Sequence, residues 1–294
     1  MNDVLTRLAE LSPKRRELLL RQIDKKRREA DGGGVSAQRI PRLPRALEGA
    51  PDANRFPVSF SQLREWILDQ LEPGNPAYNI PGGLRVEGRL DLAVFAGAVN
   101  EIVRRHEALR TTFVPSSSGD GAGEPVQVIA HTLRLAVPVA DLGALPAAVR
   151  AAEAERLGRM IQRLPFDLAR GPLLRVGVLR LEAEDHRALF TLHHSVADGW
   201  SVSLFLREIF LLYQAFSQGR PSPLPELPVQ YADYAVWQRG RLQGEVLAEH
   251  CDWWREQLAG APPLLTLPAD HTRPPLQTFR GGHVPVVLAP DAVR

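Results

Sequence analysis

The sequence predicts an α/β fold, and three observations carry that prediction. Apolar runs of strand length alternate with stretches whose apolar residues recur at helical spacing. Of the 294 residues, 44% are hydrophobic and 24% charged, the balance of a globular chain with enough apolar content for a core. Strand and helix candidates follow one another through most of the chain instead of segregating into blocks.

The first thirty residues stand apart. Ser12-Pro13 is a helix start, with serine as N-cap and proline at the first helical position. Leu18, Leu19 and Ile23 form an apolar side against Arg15, Arg16, Arg21, Lys25, Lys26, Arg27 and Arg28. So short an amphipathic helix makes no core of its own. Residues 1–30 read either as a solvated leader or as a basic docking element for another chain. Residues 31–55 read as a linker, because Gly32, Gly33 and Gly34 are flexible and Pro41, Pro44 and Pro51 break any helix.

From residue 56 the composition is that of a folded domain. Gly83–Val86 reads as a strand, and a helix starts at Leu90-Asp91 and runs through Val94, Phe95, Val99, Ile102 and Val103. Leu109–Val114 and Pro125–Ile129 read as strands around a Ser/Gly-rich turn at Ser116–Gly123. The glycines of that turn lack the GxGxxG spacing and open no helix, which argues against a phosphate loop. A helix follows over Leu145–Gln162, then strands at Leu173–Leu181 and Ala188–His193, then a helix over Ser201–Phe216. Val229–Leu258 reads as one long aromatic-rich helical region. Pro262–Pro275 reads as an extended loop and Val284–Leu288 as a last strand.

Several function classes are disfavoured by composition. A net charge of +2 gives no case for nucleic acid. The single Cys251 excludes an internal disulfide framework and suits a reducing cytoplasm. The start Met1-Asn2-Asp3 leads into no signal-peptide pattern. No stretch approaches the ~18 apolar residues that span a bilayer. A cytoplasmic protein without membrane segments is therefore expected. No GxSxG elbow or activated cysteine is present.

The chemistry concentrates at Leu192-His193-His194-Ser195-Val196-Ala197-Asp198-Gly199-Trp200-Ser201. Adjacent strand residues face opposite ways, so one histidine of the pair points to the core and the other away. Ser201 is positioned to cap the following helix. Imidazole at a strand end suits proton handling near neutral pH. On the residues alone, two core histidines bonded to backbone are the favoured account of the pair.

The wider pattern is more specific. The segment from His193 to Gly199 reads HHxxxDG, and three further stretches accompany it. Ser59–Trp66 resembles SxAQxRxW, with Ser61 where alanine is usual. Arg105–Phe113 resembles RHExLRTxF, and Tyr231–Trp237 resembles YxDYAxW. In this order the four stretches resemble the condensation domains of nonribosomal peptide synthetases. That resemblance implies a chloramphenicol acetyltransferase-like sandwich of two lobes with a tunnel between them. The N-terminal lobe would occupy residues 56–225, and the start of the second, incomplete here, residues 226–294. It implies amide-bond formation between donor and acceptor aminoacyl thioesters on carrier domains, with phosphopantetheine as the tether and no cofactor bound by the domain.

By matched position, His194 is the active histidine, as general base or as positioner of the amine, and His193 faces the core. Asp198 is implied to be structural, paired with Arg105 or Arg110, while Arg64 is a further ion-pair candidate. Gly199 would let the backbone approach the reacting carbonyl. The continuation Asp198-Gly199-Trp200-Ser201 resembles domains that take an L-configured donor. The paired histidines exclude the heterocyclisation type, and epimerisation domains usually continue differently after the glycine. Donor and acceptor carrier domains, a downstream adenylation domain and an upstream synthetase at the N-terminal helix are the implied partners. A coenzyme A-dependent acyltransferase and an inactive docking fragment are the alternatives.

Overall fold

The computed structural model describes residues 39–46, 54–116, 123–264 and 268–272. The helix expected at residues 1–30, the tip of the Ser/Gly-rich turn and the strand at Val284–Leu288 lie outside them. The chain divides into two units, Met1–Arg42 and Leu43–Arg294, and the sheets and helices among the described residues belong to the second.

The larger sheet is built around a hairpin. β6 (Leu174–Glu182) and β7 (Asp185–His193) pair antiparallel, β2 (Asn79–Glu87) adds to the far side of β7, and β5 (Val139–Asp141) pairs parallel to β6. Helices α2 (Leu92–Arg105) and α4 (Gly199–Ser217) pack against each other on one face. Phe95, Val99 and Ile102 of α2 and Phe205, Ile209 and Leu212 of α4 join Leu174, Val176, Phe190 and Leu192 in the main core. On the opposite face α3 (Ala147–Arg163) contributes Ala154 to a second cluster with Leu142, Leu179 and Leu181. Both faces of the central strands are covered, so β6 and β7 read as nearly continuous apolar runs and not as clean alternation.

A close approach fixes one glycine. Gly82 sits directly opposite Phe190 across the β2–β7 ladder. A Cβ there would lie 2.1 Å from the Phe190 ring, so the ring lies flat over the strand only because residue 82 has no side chain.

The smaller sheet has the order β1-β4-β3 and is antiparallel, from β1 (Arg55–Pro57), β4 (Pro125–Ile129) and β3 (Thr111–Pro115). The strand expected from Leu109 starts two residues later, because Glu107–Arg110 form a 3-10 turn that buries Leu109. α1 (Phe60–Leu71) follows β1 and opens with a capping box: Ser59 Oγ accepts from Gln62 N, and Gln62 Oε1 accepts from Ser59 N.

One expectation changes past Pro221. The aromatic-rich region is two helices, α5 (Tyr231–Arg241) and α6 (Gly244–Gln257), broken where Gly244 takes φ 58°. α5 packs on β1 and on the 3-10 turn. Within the segment expected as a linker up to residue 55, Leu43 and Arg45 are anchored. Leu43 N and Arg45 Nη2 donate to Asp233 Oδ1 at 3.1 and 2.9 Å, and Arg45 Nε donates to Glu107 at 2.9 Å. Residues 39–46, which include Pro41 and Pro44, form no helix, and polar anchors hold Leu43 and Arg45 in place of helical hydrogen bonds.

Asp233 is fully buried, and its second oxygen accepts from Gln230 N at 2.7 Å, closing the first turn of α5. Asp233→Ala would leave Arg45 to Glu107 and leave two part-buried backbone donors, Leu43 N and Gln230 N, unpaired. A loss of ~2–4 kcal/mol is expected in denaturant unfolding, about 1–3 for each donor left unmet, and a loss below ~1 kcal/mol would mean that water replaces the carboxylate freely.

Candidate functional site

The site forms where β7 runs out. Pairing with β2 continues to the last residue, Asn79 opposite His193, and His194 N then donates to Tyr78 O at 2.9 Å. The strand parity is held through both histidines, so their side chains face opposite ways. His193 is buried and its ring meets Phe166 edge-on at 5.9 Å, whereas His194 is exposed.

The buried ring has a defined proton pattern. Ser195 N donates to His193 Nδ1 at 3.2 Å, and Ser195 Oγ lies 2.8 Å from the same nitrogen. A nitrogen that accepts from a backbone N–H carries no proton, so the neutral ring holds its hydrogen on Nε2. Burial, assisted by the neighbouring His194 charge, pushes the His193 pKa down to about 4. His193 is therefore a neutral strut for the turn, and Val196 N closes that turn by donating to His193 O at 3.1 Å.

Asp198 ends the turn as the N-cap of α4. Its Oδ1 accepts from Ser201 N at 2.8 Å and from Ser201 Oγ at 2.7 Å. The expected cap, Ser201, is instead the residue being capped. The Ser201 hydroxyl and backbone bonds hold the Asp198 carboxyl below its ordinary pKa, and the charge of His194 adds to this.

The expected pairing of Asp198 with Arg105 or Arg110 is not what the structure shows. Arg105 is buried at the end of α2, donates to Leu224 O and Pro225 O at 3.3 and 2.8 Å, and faces Glu208 at 3.6 Å. Arg110 donates to Ala130 O and lies 3.7 Å from Glu107. Both cations are consumed by their own neighbourhoods, while Asp198 is exposed to solvent. Arg64 pairs with Glu65 at 2.8 Å. At Gly199 an added Cβ would meet nothing within 4 Å, so any need for glycine there comes from a substrate and not from the chain.

α1 supplies the opposite wall. Gln62 Nε2 reaches Ser195 O at 3.5 Å, and Ser59 Oγ meets Tyr231 Oη at 3.0 Å, which ties α1 to the histidine loop and to α5. The resulting pocket, with about 200 Å³ of space, is lined by His194, Asp198, Ser61, Arg64, Glu65 and Tyr231 among others. A second, largely apolar recess of about 190 Å³ shares Val196, Ala197, Ser201 and Tyr231 with it and extends to Ile102, Leu204 and Phe205. Sequence reasoning brought His194, Asp198 and Arg64 to this place but missed Glu65 and Tyr231. The helical spacing of Glu65, three residues after Gln62, was the available signal. Among the described residues no cluster of His, Cys, Asp or Glu has the makings of a metal site, and no helix is long and apolar enough to cross a membrane.

Known proteins match both sequence and shape. A family model described as "Condensation domain" matches residues 52–293. A linear gramicidin synthase from Brevibacillus parabrevis is 49% identical over 226 residues, which is 77% of this chain and 4% of that protein. Phosphinothricin tripeptide synthetase PhsC of Streptomyces viridochromogenes is 43% identical over 281 residues, 96% of this chain and 24% of that protein. The X-domain from teicoplanin biosynthesis superposes with a TM-score of 0.63 at 29% identity, covering 79% of this chain and 48% of that one. The starter condensation domain of rhizomide synthetase RzmA gives 0.63 at 23% identity, over 71% of this chain and 49% of that domain, and speaks for the fold alone. The chain thus spans about half the length of these solved domains and a small part of the synthetases.

Two measurements check the electrostatics of the loop. Between pH 6.5 and about 4 the unfolded chain protonates His193 and the folded chain does not. The stability contributed by the neutral ring is therefore complete above pH 6.5 and lost as pH falls towards 4, a change on the order of 3 kcal/mol. Unfolding free energies at pH 7 and pH 4.5 should differ less in His193→Leu than in the parent by that amount. An identical difference in both would assign the acid sensitivity elsewhere. Asp198→Ala should cost only about 1 kcal/mol, the worth of an N-cap, and Asp198→Asn should restore most of it. A loss of ~3 kcal/mol or more would restore the buried ion pair expected from sequence.

Proposed function

The chain belongs to the condensation-domain family of nonribosomal peptide synthetases, and we propose that its pocket forms an amide bond between two carrier-bound aminoacyl groups. The acceptor's α-amine attacks the donor thioester carbonyl, a C–N bond forms and the C–S bond breaks. The amine proton ends, directly or by relay, on the departing phosphopantetheine sulfur. The observation that supports this most is the placement of His194. It is solvent-facing at the end of a strand whose register is held to the last pair, in a pocket bounded by two carboxylates.

In this reading His194 orients the amine and takes its proton as the bond forms. His193 is a support beneath it and not a participant. Asp198 fixes the start of α4, so its contribution is to hold Gly199 and the turn in place. The open space over Gly199 is where the thioester would lie. The apolar recess beside the pocket would receive an aliphatic portion of a substrate. No covalent enzyme intermediate is needed, because the thioester is already activated.

The subtype and partners belong to the same proposal. The donor would be L-configured, the carriers would present phosphopantetheine arms, and an adenylation domain would lie downstream in the parent synthetase. The basic segment 1–30 would dock an upstream synthetase. The segment boundaries 1–30, 31–55, 56–225 and 226–294 stand as proposals with it.

In the full-length protein, supplied with loaded donor and acceptor carriers, His194→Ala should reduce dipeptidyl-thioester formation by ~10²–10⁴ with an unchanged melting temperature. Near-parental turnover in that variant would remove His194 from the chemistry and leave proximity as the main source of rate.

A further inference from the structure

The pocket contains a charged group that this scheme leaves unused. Glu65 lies on the inner face of α1, three residues beyond Gln62, and both side chains are about 2% exposed. Its neighbours Leu63 and Trp66 pack on the apolar cluster around Val58, Phe113 and Phe166. Residue 65, between them in sequence, carries a carboxylate.

The two oxygens of Glu65 differ. Oε1 is held by Arg64 Nη2 at 2.8 Å, from a guanidinium whose side chain is 69% exposed. Oε2 is buried and has no hydrogen-bond partner among the described residues. A buried carboxylate is normally paired and bonded at both oxygens, since an unmet acceptor loses its hydration with no return. The same side chain lines the pocket that holds His194 and Asp198. It is thus a half-satisfied carboxyl side chain on a residue that lines the space which, on the condensation reading, receives an amine.

We propose that Glu65 is a substrate-binding residue whose Oε2 receives a primary ammonium group of the acceptor aminoacyl unit. That group is either its α-ammonium before proton loss or the ammonium of a basic side chain. The inference rests on the condensation reading for the identity of the ligand and on the buried, unmet oxygen for its charge. An ammonium supplies up to three donors on a compact cation, which matches a single free carboxylate oxygen better than a planar guanidinium does.

The test uses the full-length protein and three non-hydrolysable probes in titration calorimetry: the pantetheine amides of L-leucine, N-acetyl-L-leucine and Nα-acetyl-L-lysine. The parent should bind at least one of the two ammonium-bearing probes about tenfold or more tightly than the N-acetyl-leucyl probe, as a charge-assisted bond implies. Preference for the leucyl probe identifies the α-ammonium, and preference for the acetyl-lysyl probe identifies a basic side chain. Glu65→Gln should abolish the preference while keeping affinity for the N-acetyl-leucyl probe within about twofold. Glu65→Leu should do the same and melt at or above the parental temperature, because it removes a buried charge; it keeps the test open if the glutamine variant folds poorly. A parent that binds all three probes alike, or a preference that survives in either variant, overturns the proposal. Failure of the unmodified protein to make any dipeptidyl thioester overturns the condensation reading instead, and an ammonium preference lost in Glu65→Gln would still stand.

Discussion

The parity of β7 governs the whole site. In a strand the side chains alternate with a period of two, so a slip of one residue against β2 or β6 would drive His194 into the core and turn His193 outward. The register resists that slip because residues on both sides of the strand are committed. Phe190 needs the missing side chain of Gly82 opposite it, and Leu192 sits between Ile80 and Leu174 in the two ladders. The core therefore specifies the pocket: the same packing that buries Phe190 and Leu192 fixes which imidazole meets a substrate.

A second constraint holds the walls together. The pocket lies among α1, the histidine loop and the start of α5. Buried charges tie α5 to its surroundings and α4 to α2. Asp233, Arg45 and Glu107 join α5 and the segment before β1 to the 3-10 turn after α2. Glu208 of α4 takes His106 at 2.8 Å and faces Arg105 on α2. Breaking such a pair strands a charge, which makes each junction costly to open even where the intact pair adds little net stability. Arg105, His106, Glu107 and Asp233 belong to stretches that read as functional motifs in sequence, and what they do in the fold is join its elements.

Much of this was legible in the sequence, for identifiable reasons. The strand run up to His193 announced its parity, and the proline and glycine breaks marked most element ends. The misreadings share one cause: a sequence gives residue types without distances. Asp198 was assigned an arginine because Arg105 and Arg110 stand in a neighbouring motif, yet both are spent on carbonyls and on Glu208 and Glu107. Ser201 looked like a cap because serine commonly is one, whereas Asp198, three residues earlier, has the extended backbone a cap requires. Glu65 passed as a variable position between Arg64 and Trp66, since its burial follows from which face of α1 turns inward.

The electrostatic character of the pocket follows from these placements. Beneath it, His193 is kept neutral by burial, so the floor contributes no positive charge near neutral pH. Two carboxylates line the walls: Asp198 is occupied by the amides and hydroxyl of α4, and Glu65 is only half neutralised by an arginine that leans into solvent. An amine arriving as its cation meets a site biased towards holding it, and an amine must shed a proton before it can attack a thioester. A wall that favours the cation and an imidazole that can accept its proton oppose each other mildly, and that opposition is productive when the two groups act in sequence. On the proposed reading, where the ammonium is the α-ammonium, the carboxylate would gather and orient it and the histidine would then take the proton at the moment of attack. A pocket that lacked the first group would have to bind the scarce neutral amine directly from solution.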